Sequence, residues 1–202
     1  ETYSAGIGAA LITSGGSLGA SVGYFDSTYG IPSRPGSGED GVSIALKQWR
    51  ADVRGEVAFG DGLIERLRIR AAFADYEHAE VEDGAVGTTF LNQGIEARAE
   101  LVQNDRNGWN GASGVQFFFR DFNAIGDEAF VPQNDTEQFA LFTLQQVELG
   151  AIKLEGSLRY ETTDTIARSL GIDRSFSSVS GAIGASHEFG SNSKVGAHIA
   201  RP

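Results

Sequence analysis

Few residues in this chain are of a type and spacing that could do chemistry. The stretch YEHAEVED, residues 76–83, sets Glu77, His78, Glu80 and Glu82 close together, and an imidazole among carboxylates is a donor set for a divalent cation. Only two further histidines exist, His187 and His198, so a histidine-based metal centre is hard to assemble. The same stretch reads equally well as a solvated strand end leading into an acidic loop. SAGIGAA, residues 4–10, has the loose glycine spacing of a dinucleotide loop, yet no helical pattern follows and the glycines share one strand parity. SNSK, residues 191–194, matches the serine–lysine spacing of penicillin-binding enzymes, but it falls in a turn. His187 and His198 flank that turn and are expected at a rim of the fold. Carboxylate pairs recur, but alternation along strands spreads them over a wall and does not converge them on a cleft, which argues against glycoside hydrolysis. The sequence offers no nucleophile, base and oxyanion set. No catalytic residue, metal centre or cofactor is therefore assigned.

Composition narrows the function classes further. Acidic side chains number 27 against 16 basic ones, a balance that argues against nucleic acid as a partner, because phosphate binding needs clustered Lys and Arg. Cysteine is absent, which removes disulfides and thiolate chemistry and suits an oxidising compartment. Methionine is absent too, and the chain opens on Glu1 with no basic-then-apolar leader, so a processed product or an excerpt is expected. No run of about 18 apolar residues exists, which excludes a transmembrane helix. A membrane β-barrel stays open, since its strands need apolar residues on one face only.

The elements that must position any site are strands. Trp49, Ala51, Val53, Gly55, Val57 and Phe59 share one parity, while Arg50, Asp52, Arg54 and Glu56 hold the other. Leu67, Ile69, Ala71 and Phe73 interleave with Arg66, Arg68 and Arg70. Ile95, Ala97, Ala99 and Leu101 alternate with Glu96, Arg98 and Glu100, and Ile152, Leu154, Leu158 and Tyr160 with Lys153, Glu155 and Arg159. Period-two alternation of this kind makes strands with one wet and one dry face. Toward both termini the wet face becomes Ser and Gly. Roughly ten strands are expected, with short turns near 14–17, 60–63, 104–108, 150 and 190–193. Longer polar loops are expected at 27–41, 82–88, 123–135 and 165–175. Short and long connections in turn describe an all-β, antiparallel up-and-down meander, the layout of a transmembrane β-barrel.

The hairpin around Gly60 can be given a register. Keeping its two apolar faces together requires an odd loop, and residues 61–63 fit a three-residue turn with a glycine bulge. Glu56 then faces Arg68, and Arg54 faces Arg70. Trp49 and Phe59 lie in phase on the apolar face ten residues apart, as do Trp109 and Phe119. At about 3.3 Å per residue and a tilt near 40°, that separation rises roughly 25 Å, the height of the apolar band between aromatic girdles. A soluble sandwich would place such aromatics mid-strand. Trp49, Phe59, Trp109 and Phe119 are accordingly expected to form a lipid-facing girdle. Arg50, Asp52, Arg54, Glu56, Arg66, Arg68, Arg70, Glu96, Arg98, Glu100, Lys153, Glu155 and Arg159 are expected to form a polar wall facing the lumen.

The stretches YFDSTYGIP (24–32), GVSIALKQWRADVRGE (41–56), RIRAAFADYEHAEVEDGAVGTTFLNQGIEARAELV (68–102), RDFNAIGDEAFVPQNDTEQFALF (120–142) and KLEGSLRYE (153–161) together resemble the barrel of TonB-dependent outer-membrane receptors. The resemblance implies a bacterial outer-membrane barrel of about 22 strands around a plugged lumen. It also implies import of a scarce ligand, a metal ion, metal chelate or small nutrient, with energy passed on by TonB. On that pattern residues 1–202 are a barrel segment, while the plug domain, the TonB-binding region and the remaining strands lie outside it. The implied partners are the lipid bilayer, the plug of the same full-length protein and TonB. The segment is most similar to receptors linked to zinc uptake, whose loop after the YGIP position is rich in histidine and acid. Here that loop, residues 33–41, reads SRPGSGEDG and has no histidine, which argues against zinc. Two rival expectations are a small self-contained barrel acting as a passive pore or surface-binding module, and a soluble β-sandwich binding module.

Overall fold

The computed structural model describes residues 1–32, 41–82, 84–126, 129–190 and 192–201. The strands are β1 (Thr2–Thr13), β2 (Gly16–Ile31), β3 (Val42–Ala58), β4 (Ile64–Glu82) and β5 (Ala85–Gln103), followed by β6 (Trp109–Gly126), β7 (Asn134–Leu149), β8 (Ile152–Ala167), β9 (Ile172–Phe189) and β10 (Ser193–Arg201). They form one ten-stranded sheet in chain order, every neighbouring pair antiparallel. β1 and β10 are its two edges and do not pair with each other. Among the described residues the strands pack against their sequence neighbours and no second sheet lies over either face, so the sandwich expectation is not met.

Alternation explains why a single sheet holds one register over such length. A one-residue slip would carry every apolar side chain to the charged face, so the pattern itself fixes pairing. The expected pairs form: Glu56 faces Arg68 and Arg54 faces Arg70. The connection between β3 and β4 is longer than the three residues expected. One further backbone bond, Phe59 N–H to the Glu65 carbonyl at 2.8 Å, leaves residues 60–64 as the turn. An odd loop of either length preserves the same register.

At this end of the sheet neighbouring turns are tied together. Arg106 and Trp109 exchange backbone bonds of 2.8 and 3.2 Å across Asn107 and Gly108. Both turn residues have positive φ, 57° and 82°, the backbone that an Asn-Gly pair accepts in a two-residue hairpin. The Asn104 amide then donates to the Gly60 and Gly62 carbonyls at 2.9 and 2.7 Å, and Arg106 Nη2 donates to the Asp61 carbonyl at 2.8 Å.

The opposite end departs from expectation. Strands occupy much of what the sequence suggests as long loops: β2 runs to Ile31, β4 and β5 reach Glu82 and Ala85, β6 runs to Gly126, and β8 and β9 approach to Ala167 and Ile172. Residues 33–40, which hold the stretch compared with zinc-type receptors, lie outside the described residues. The physical reason for the longer strands is that a ladder needs backbone pairing, not burial. Where both faces carry Asp, Glu, Thr and Asn, the ladder persists while the alternation that reveals it disappears. One 3-10 turn, Arg168–Leu170, joins β8 to β9, and Arg168 bonds Asp135 at 2.9 Å.

Candidate functional site

The thirteen residues expected on the polar wall share one face of the sheet, as the pairings require. Most are bound to one another. Arg50 donates from Nε and Nη2 to Asp52 at 2.9 and 2.8 Å. Arg66 and Arg68 both donate to Glu56, at 2.8 and 2.9 Å, one to each carboxylate oxygen. Arg98 Nε donates to Glu100 at 2.9 Å, and Arg159 Nε to Glu161 at 3.1 Å. Glu155 accepts from the Gln146 amide at 2.6 Å, while Lys153 stands 4.0 Å from Glu148. Glu96 accepts from the Gln116 amide at 3.0 Å.

Among the side chains on this face that the sequence does not single out, two reach across strands. The Gln116 carbonyl accepts from Arg98 at 3.4 Å and from Arg159 at 3.3 Å, so one amide on β6 links β5 to β8 across Ala140, whose exposure is 1%. Phe142, in register with Gly114 and Arg159, lies on the charged face with the Arg98 guanidinium carbon 4.0 Å from its ring centroid. Gly114 makes room for it: a Cβ there would stand 2.6 Å from Phe142 Cζ. The available signal was the run FALFTL, residues 139–144, where the alternation breaks and Ala140, Phe142 and Leu144 fall on the charged side.

On the other face the four expected girdle residues lie at two levels. Trp49 stands in register with Tyr24, their rings 4.8 Å apart, and Phe119 follows Ile95, itself beside Phe73. Beyond this row the face turns charged within a rung or two: Asp26, Lys47, Asp75, Asp121, Glu137 and Asp164. Phe59, Trp109 and Phe189 mark the level of the short turns. Between the rows Val53, Val57, Ile69, Val115, Leu154 and Ile183 are exposed, with Trp49 and Phe59 each 54% accessible. Four polar groups interrupt this apolar face, and they satisfy one another. Ser113 and Thr143 share a 2.8 Å bond, the Gln145 amide donates to Thr143 at 3.0 Å, and Trp109 Nε1 donates to Gln145 at 2.9 Å.

The isolated motifs do not converge. Glu77 falls on the opposite face from His78, which stacks on Phe90 at 4.6 Å, meets the Tyr76 hydroxyl at 3.0 Å and stands 4.0 Å from Glu80. Among the described residues no three His, Asp or Glu side chains come together as a metal centre would require. His187 stacks on Phe189 at the lower aromatic row, as a rim position predicts. His198 does not sit at the rim: it pairs with Gly184, well up β10, because that strand rises directly from the turn. Gly6 and Gly8 belong to β1, with a strand and no helix following.

A sheet with one face apolar between two aromatic rows and the other laced with ion pairs defines the wall of a membrane β-barrel. Residues 2–197 match the family model described as "TonB dependent receptor-like, beta-barrel", and the chain belongs to that family. Its place is the bacterial outer membrane. A search of curated proteins gives no match. Among solved structures, the copper transporter OprC superposes with a TM-score of 0.77 at 10% identity over 98% of this chain and 36% of its own. The FrpB iron transporter from Neisseria meningitidis (F5-1 variant) gives 0.73 at 12% identity over 93% and 34%. The ferric citrate transporter FecA in its unliganded form gives 0.56 at 12% identity over 92% and 33%. The likeness is one of fold, and the chain spans about a third of the length of these proteins.

Proposed function

We propose that this chain is a barrel segment of a longer outer-membrane receptor that imports a scarce ligand, a metal ion or metal chelate in the first instance. The apolar face, with Trp49, Phe59, Trp109 and Phe119 at its margins, meets lipid. The charged face lines a water-filled bore and contacts a plug domain of the same protein, while TonB acts through a region outside this chain. The observation that carries the reading is the apolar band itself. Exposed Val, Ile and Leu lie between two aromatic rows, with acid appearing directly above the upper row. In water such a face would be an aggregation surface; in a bilayer it is the matching solvent.

The metal preference rests on the three structural neighbours, which are named as copper, iron and ferric citrate transporters. The open edges at β1 and β10 count against a self-contained ten-stranded barrel. Uptake of radiolabelled copper, iron and ferric chelates, compared between cells carrying and lacking the full-length gene under metal limitation, tests the proposal. A gene-dependent difference for one of these is expected. Equal uptake of every metal and chelate, with loss of a non-metal nutrient instead, would overturn the metal assignment.

A further inference from the structure

We infer that Arg54 and Arg70 together form a carboxylate-binding site on the charged face, filled by an Asp or Glu of a polypeptide segment lying against it. The inference rests on the reading that this face lines an enclosed bore. Arg54, Arg70 and Arg98 stand in direct register on β3, β4 and β5, three arginines on one rung. Like charges directly opposed on neighbouring strands repel, so such a row calls for counter-ions. Arg98 has its own in Glu100 and rests on the Phe142 ring. Arg54 and Arg70 form no ion pair or side-chain hydrogen bond among the described residues, and both are exposed.

Three of the nearby acids are held by other guanidinium groups: Asp52 by Arg50, Glu56 by Arg66 and Arg68, and Glu100 by Arg98. Glu96 accepts from the neutral Gln116 amide, which leaves its charge in place on the neighbouring strand. Along β4 the same-face neighbours of Arg70 are Arg68 and Ala72, which offer no acceptor. In a chain of net charge −11, two directly opposed arginines with no ion pair among the described residues leave room for an acidic partner.

A polypeptide fits better than a free anion. Backbone N–H groups around the pair are consumed by the ladders, so no nest of donors encloses a small ion, and two guanidinium forks approach from one side only. A guanidinium fork suits the planar, bidentate geometry of a carboxylate. Beside Arg54 lies an open trough of about 540 Å³, floored by Gly8, Ala10, Gly19 and Ser21 and edged by Arg50 and Asp52. It leaves space for the segment that would carry the acid, and Asp52 at its rim disfavours a free multivalent anion.

The test uses the full-length protein in native membranes, with Arg54→Lys or Arg70→Lys, treated with a water-soluble carbodiimide. The reagent activates a carboxylate, the introduced amine displaces it to form an amide, and the carbodiimide leaves as the urea. Both variants are expected to cross-link to one and the same Asp or Glu outside residues 1–202, in yield comparable to a control linking Arg68→Lys to Glu56. Links only to Asp52, Glu56, Glu96 or Glu100, or none while the control succeeds, would overturn the site; the latter is what a free anion or bare water would leave. Spin labels on V53C and R54C separate the two levels of failure. If position 53 senses lipid-dissolved oxygen, the bore reading stands and only the carboxylate site falls. If position 54 does so instead, both fall.

Discussion

The central strands β3–β8 and the flanking hairpins β1–β2 and β9–β10 differ on one face only. Outward, they are alike: Ile7, Leu11, Leu18 and Val22 on one flank and Ile183, Val195 and Ile199 on the other continue the apolar band of Val53, Ile69 and Leu154. Inward, the centre carries the Arg, Glu and Gln network, while the flanks carry Gly6, Gly8, Ala10, Gly19 and Ser21, and Ala182, Gly184, Ser186 and Gly196. The difference separates two kinds of constraint. On the proposed reading a bilayer imposes the same demand on every strand that meets it, which accounts for the uniform apolar face. The other face then answers only to whatever lies against it, which accounts for its variation along the chain.

The largest effect is expected from charging the shared face. Val53→Arg, at mid-band, is predicted to cost about 2–4 kcal/mol of folding stability in lipid. Arg54→Val, one residue on, is predicted to lose markedly less, limited to the contact its guanidinium makes, and a urea unfolding series of the full-length protein in liposomes compares the two. Next comes the difference between centre and flank at glycine. Gly114→Ala sets a Cβ 2.2 Å from the Ala99 carbonyl oxygen and against Phe142, and is predicted to lose about 1–3 kcal/mol by overpacking. Gly6→Ala, whose Cβ would meet the Val22 carbonyl oxygen at 3.4 Å, is predicted to change stability little. Equal losses at both sites would erase the contrast between a filled central wall and an open flank.

Smaller again is Glu56→Gln, which weakens the contacts to Arg66 and Arg68. These partly exposed pairs are worth roughly 0.2–1 kcal/mol each, and the loss is expected to shrink in high salt. The smallest is Thr143→Val on the outward face, predicted at about 0.6 kcal/mol for a hydrogen bond facing lipid. A loss several-fold larger in the same unfolding series would mark the Ser113–Thr143–Gln145 chain as more than a self-satisfied interruption of the band.

Much of this was legible before any coordinates. Alternation at 49–59 and 66–73 gave strand identity, facing and the Glu56–Arg68 register, because a period-two pattern admits one register once a face must be dry. The aromatic pairs Trp49–Phe59 and Trp109–Phe119 were legible as in-phase residues ten apart, and they share the apolar face. The upper strand extensions were hidden, since residues 74–82 and 85–93 carry polar side chains on both faces and leave no periodic signal. Gln116 and Phe142 were hidden for another reason. A cross-wall contact between β5, β6 and β8 depends on three registers at once, and no local spacing in the sequence encodes it. The Arg54–Arg70 opposition was legible from the hairpin register, while the place of Arg98 on the same rung depends on the β4–β5 pairing as well.

The central claim is that the Val53 face meets lipid and the Arg54 face meets water. Single cysteines at positions 49, 53, 54, 56 and 57 of the full-length protein in liposomes, spin-labelled in turn, test it through collision with oxygen and with a water-soluble nickel chelate. The account predicts oxygen-dominated relaxation at 49, 53 and 57 and nickel-dominated or protein-shielded relaxation at 54 and 56. Shielding from both reagents at 53 and 57, as a protein layer over the apolar face would give, would contradict it.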